Sequence, residues 1–167
     1  MTENFFIHFE QPLALNVPRM LCMGLLGAGL ESTLVNYTSE PIQIHVVNRH
    51  TGERVPIKYI APHGFIFHFI NCYEDSGFVV VDVVWNNSTS PIKDFYIDQL
   101  MNAQKHKFPL DTGFARFVLP LSVQGAKEGL NLVTLPDSEA TAVLRPGTKD
   151  IVDVNKDPIF DGQSLTL

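Results

Sequence analysis

Six histidines are the first side chains to consider for chemistry, because a neutral imidazole carries protons and binds transition metals. Five of them, His8, His45, His50, His63 and His106, are scattered through strand-like and loop-like stretches. None belongs to an HExxH motif or an HxH pair, and none has a carboxylate at ligand spacing, so surface or structural roles are expected for them. His68 differs. It stands between Phe67 and Phe69 in the apolar run Gly64 to Tyr73 (GFIFHFINCY). Alternation along a strand would set His68 on one face with Ile66 and Ile70, and the two phenylalanines on the other. An imidazole in apolar surroundings needs a hydrogen-bond partner or a metal. The residues alone leave both readings open.

The other chemistry-bearing residues offer less. Glu74 and Asp75 precede Ser76-Gly77 in a polar turn, where solvation and turn chemistry are expected. Asp82 interrupts the apolar run Phe78 to Val84 (FVVVDVV), so it should be hydrogen-bonded or charge-paired and structural. There is no glycine-rich phosphate loop, no GxSxG elbow and no Cys/His nucleophile pattern. Cys22 and Cys72 are too far apart for a zinc knuckle and too few for a disulfide framework. They read as free thiols, buried or half-buried. A formal net charge of -6 argues against a nucleic-acid partner, since phosphate favours a basic surface.

Short strands must hold these residues in place. Phe5 to Phe9 is one, and Ile42, Ile44 and Val46 alternate as a second. A turn at His50 to Glu53 leads to a returning strand over Val55 to Ile60. Gly64 to Tyr73 and Phe78 to Val84 form the clearest hairpin. They are apolar on both faces, which predicts burial on both sides. Asp94 to Gln104 reads as a short helix or as a strand entering a turn. Ala115 to Leu121, Asn131 to Leu135, Ala140 to Leu144 and Ile151 to Asn155 complete the strands, and the tail from Pro158 fades into polar residues. About nine short strands with polar turns fit a sandwich, barrel or propeller. At about 40–45 residues per blade, the chain would supply two or three blades of a propeller. Met20 to Leu30 is apolar but far shorter than the roughly 20 residues of a spanning helix. It reads as a core or interfacial helix.

The run Phe67-His68-Phe69-Ile70-Asn71-Cys72-Tyr73-Glu74-Asp75-Ser76-Gly77, continuing to Asp82, resembles the FHHINAYED-x-G-x-x-x-x-D signature of the carotenoid oxygenase family. Four more segments resemble that family in the same order: Thr2 to Phe6 (MTENY), Phe9 to Leu13 (FxEQPL), Arg116 to Leu121 (RRFVLPL) and Gly129 to Val133 (G-x-NLV). The resemblance implies an all-β fold, part of a seven-bladed β-propeller with a short apolar insertion. It implies ferrous iron held by four histidines, which leaves positions open for dioxygen. The first histidine of FHH is the family's ligand, so it implies His68 as a metal ligand. Phe69 departs from the second histidine, which is not a ligand. Phe67 matches an aromatic beside the substrate cleft.

The implied reaction is oxidative cleavage of a polyene C=C bond in a carotenoid, giving apocarotenals such as retinal. The alternatives are a non-catalytic carotenoid or retinoid binder and a retinyl-ester isomerohydrolase. Leu21 to Leu30 falls where the family docks on a membrane. A cytoplasmic location follows, with peripheral membrane contact; a mitochondrial one is a lesser alternative. The family's second ligand lies four residues before its MTEN methionine, and two others lie off the ends of the matched region. The expectation is therefore that residues 1–167 are an internal, by itself inactive, part of such a domain.

Overall fold

The clearest hairpin of the sequence forms, with its second strand inside a sheet and its first at that sheet's edge. The computed structural model describes residues 1–160 except 28, 90, 95 and 102–111. Its elements are β1 (Phe5–Glu10), β2 (Leu13–Leu15), α1 (Val17–Leu26), a 3₁₀ turn (Leu30–Thr33), β3 (Leu34–Asn36), β4 (Ile42–Asn48) and β5 (Lys58–Ala61). Then come β6 (Phe65–Asp75), β7 (Phe78–Asn86), α2 (Pro91–Asp94), α3 (Ile97–Met101), β8 (Thr112–Pro120), β9 (Thr141–Leu144), β10 (Ile151–Asn155) and β11 (Asp157–Phe160). One sheet has the order β1-β4-β5-β10-β9 and a second the order β11-β8-β7-β6, with β2 and β3 paired separately. All pairs are antiparallel except β10 with β5.

The two larger sheets face each other across one core. Phe9, Ile42, Ile44, Val46, Tyr59, Ala142 and Val152 come from the first; Val79, Val81, Val83, Trp85, Ala115, Phe117 and Leu119 come from the second. Each set alternates along its strand, as a sheet buried on one face requires. The second sheet is also covered on part of its outer face, where Phe78 and Val118 pack with Ala140. Double coverage explains why β7 is apolar on both faces apart from Asp82 and the terminal Asn86. Tyr59 ties the sheets by donating its buried hydroxyl to the Pro120 carbonyl at 2.7 Å.

Several expectations are corrected. β6 is not buried on both sides. Phe65 and Ile66 are buried, but Phe67, Phe69 and Ile70 are 42%, 52% and 52% exposed, because among the described residues β6 is an open sheet edge. β5 begins only at Lys58, after Pro56, which has no N–H to give a ladder. Asn131 to Leu135 is not a strand. The Asn131 side chain instead accepts from the N–H groups of Val133 and Ala142, which bends the segment. The tail carries a strand, β11, paired with β8. The described part of Asp94 to Gln104 is helical; Gln104 lies outside the described residues, as does His106.

The apolar stretch from Met20 is helical through Leu26, as expected. Asn16 caps α1 by accepting from the Arg19 N–H at 3.0 Å, and Pro18 sits in the first turn. Gly27, at φ 59°, closes the helix.

Candidate functional site

The position of His68 is set by a backbone irregularity. Ile66 stands opposite Trp85 on β7, but His68 stands opposite Val84, the next residue along. Phe67 is therefore an extra residue, a β-bulge. Trp85 points into the core and Val84 points the other way, so Ile66 and His68 lie on opposite faces. A second bulge at Ile70 puts Phe69 opposite Val83 on the core side, and Asn71 opposite Asp82. The face expected from strict alternation is thus corrected. His68 shares its face with Asn71 and Tyr73, not with Ile66 and Ile70. Period-two reading has no means of seeing a bulge.

His68 is exposed, and its ring lies 5.2 Å from that of Phe67, tilted by 40°. The Phe67 ring in turn meets Phe65 edge-on at 5.3 Å. Among the described residues the His68 imidazole has no hydrogen-bond partner, and no three His, Cys, Asp or Glu side chains converge to hold a metal. His68, exposed and without a described hydrogen-bond partner, fits one ligand of a metal centre. The described residues do not supply the remaining donors.

Three contacts from the first eleven residues hold β6. At its far end, the Glu74 carboxylate accepts from Thr2 Oγ1 at 2.5 Å, from the Asn4 N–H at 3.0 Å and from Asn4 Nδ2 at 2.9 Å. In the middle, Phe69 meets the buried Phe9 edge-on at 5.5 Å. At its start, Gln11 Nε2 donates to the Ile66 carbonyl at 3.0 Å, and Gln11 Oε1 accepts from the Ile66 N–H at 2.8 Å. Burial alone would push the Glu74 carboxyl up, but the bonds from Thr2 and Asn4 outweigh it and hold the group below its ordinary value. Glu74 is thus a tether and not a solvated turn residue. The turn itself is Ser76-Gly77, both at positive φ, as a two-residue hairpin requires. Sequence reasoning missed Thr2, Asn4 and Gln11 as partners of β6. Their only signal was that each sits inside a family-like segment.

Asp82 meets its expectation. It is buried and accepts two bonds from Arg116, at 2.7 Å from Nε and 3.0 Å from Nη2. The other described histidines fall in surface settings. His8 stacks on His45 across the β1–β4 ladder with ring centres 6.0 Å apart. His45 Nε2 lies 2.7 Å from Glu10, whose carboxyl this contact lowers. His63 Nδ1 lies 3.2 Å from the Glu40 carbonyl. Both cysteines are free; Cys72 is half-buried, whereas Cys22 is exposed on α1, against expectation.

The family model described as retinal pigment epithelial membrane protein (RPE65) matches residues 1–156. The chain belongs to the RPE65/carotenoid oxygenase family. Rat beta,beta-carotene 15,15'-dioxygenase is 30% identical over 168 residues, covering 99% of this chain and 29% of the relative. The mitochondrial carotenoid-cleaving dioxygenase of Macaca fascicularis is 31% identical over 154 residues, covering 86% and 27%. Among solved structures, a mutant of the Synechocystis apocarotenoid oxygenase superposes with a TM-score of 0.56 at 22% identity, over 74% of this chain and 24% of that one. A cobalt-substituted form of that enzyme gives a TM-score of 0.54 at 25% identity, over 72% and 23%. The two facing sheets are therefore blades of an all-β partial propeller. The chain spans under a third of the length of these carotenoid oxygenase relatives.

Proposed function

We propose that this chain is the part of an Fe(II)-dependent carotenoid oxygenase that contributes the iron ligand His68. The complete protein would cleave a polyene C=C bond with dioxygen, giving apocarotenals or retinal. The observation that carries this reading is the presentation of His68 and Phe67 side by side at the bulge of β6, inside the segment that most resembles the family. Iron would be held by His68 together with donors outside the described residues. When bound, it supplies the means to activate dioxygen. His68 gives a neutral donor, and Phe67 gives an apolar, aromatic surface suited to a polyene. Residues 1–167 alone would be inactive, because one imidazole does not retain a catalytic metal.

Peripheral membrane contact through Leu21 to Leu30 belongs to the same reading. Leu21 and Leu25 on α1 are 77% and 91% exposed, an apolar surface suited to an interface that delivers an apolar substrate. No helix among the described residues is long and apolar enough to cross a membrane. Relatives in this family include proteins named as mitochondrial, so that location suits the reading as well as a cytoplasmic one.

The test is His68→Ala in the complete polypeptide. Iron content and polyene cleavage should both fall to background, measured by metal analysis and by chromatography of the aldehyde products. Normal iron with normal cleavage would refute the ligand assignment.

A further inference from the structure

We propose that Gln11 is a positioning residue for His68. The inference rests on the reading of His68 as a metal ligand. His68 leaves the core face only because Phe67 is bulged out of the β6–β7 ladder. A ladder without that bulge would turn His68 by one position, toward the face of Trp85. Ile66 is the last paired residue before the bulge, and its N–H and carbonyl both bond to the Gln11 amide. One side chain thus does what a neighbouring strand would do at an otherwise open edge.

Gln11 is itself well aimed. It follows β1, two residues after Phe9, which is buried against Phe117 and Phe69. Pro12, next in the chain, restricts Gln11 to extended backbone. On the other side, Gly64 lies so close to the Trp85 indole that a Cβ there would overlap the ring. The start of β6 is therefore confined between Trp85 and Gln11, and the extra residue is accommodated at Phe67. An amide satisfies both Ile66 groups, whereas a carboxylate accepts from the N–H only and an alkyl group serves neither.

The test is Co(II) binding by the complete polypeptide, followed by titration and by the visible absorption spectrum, with melting of the metal-free protein measured in parallel. Gln11→Leu should weaken Co(II) binding roughly 10- to 100-fold, the usual effect of removing a group that orients a ligand, and should alter the visible bands. Gln11→Glu should show a smaller loss in the same direction. Wild-type affinity and spectrum in a folded Gln11→Leu protein would overturn the inference. Should Gln11→Leu fail to fold, the same outcome in Gln11→Glu would overturn it. His68→Ala separates the two claims. Loss of Co(II) there with wild-type binding in the Gln11 variants removes only the positioning role. Retention of Co(II) in His68→Ala removes the ligand reading and the positioning role with it.

Discussion

Asp82 and Arg116 illustrate how polar residues survive inside an apolar sheet. Asp82 sits between valines on β7, and its side chain is 10% exposed; that of Arg116 is 29% exposed. The two-point geometry satisfies both carboxylate oxygens and uses the planar fork of the guanidinium. Removing one partner strands the other charge, which costs more than the pair contributes. Arg116→Met is therefore expected to lower unfolding stability by about 3 kcal/mol, the lower end for a buried pair because Arg116 is partly solvated. Urea unfolding would measure it. Adding Asp82→Leu to that variant should restore much of the loss, and no restoration would mean that the charge pair is not the cause. The family-like segments carry both residues, but only the β7–β8 register shows that they are partners.

At the scale of elements, β6 is a strand held from outside its own sheet. Glu74 gains three hydrogen bonds from Thr2 and Asn4 only in the folded chain. Its folded pKa thus lies below the unfolded one, and the ordinary carboxyl value is 4.5. The stabilisation is fully present above the unfolded pKa and is lost as the pH falls through the folded value. Melting temperature is expected to drop on acidification below the ordinary carboxyl range. Glu74→Gln should melt lower than wild type at neutral pH and show a shallower acid-side drop; identical slopes would contradict the tether. The hairpin around it was legible because apolar runs flank a Ser-Gly turn. Its two bulges were not, because a bulge is decided by which residues of β7 and of Gln11 compete for each backbone group. The same limit hid the parallel pairing of β10 with β5, which joins segments about 90 residues apart and has no local signature.

For the whole molecule, the unusual feature is a long, partly apolar edge. Phe67, Phe69 and Ile70 are exposed on a strand open on one side among the described residues, and α1 presents Leu21 and Leu25 to solvent. Unprotected edges pair with other chains. The isolated 167-residue polypeptide is expected to self-associate. Sedimentation velocity would show species larger than a monomer, and Phe69→Lys should shift the distribution toward monomer. A sharp monomer peak for the wild-type chain across concentrations would contradict this.

The family, the all-β class and the β6–β7 hairpin were legible in the linear chain. These are properties of local pattern and of motifs in order, which a linear string carries intact. Tertiary structure decided which way His68 points, what holds it there and that β6 is an edge. Those depend on the β6–β7 register and on contacts between residues distant in the chain, such as Gln11 with Ile66 and Asn4 with Glu74. A backbone group on an open edge has no preference of its own. It takes whichever donor or acceptor the fold brings to it.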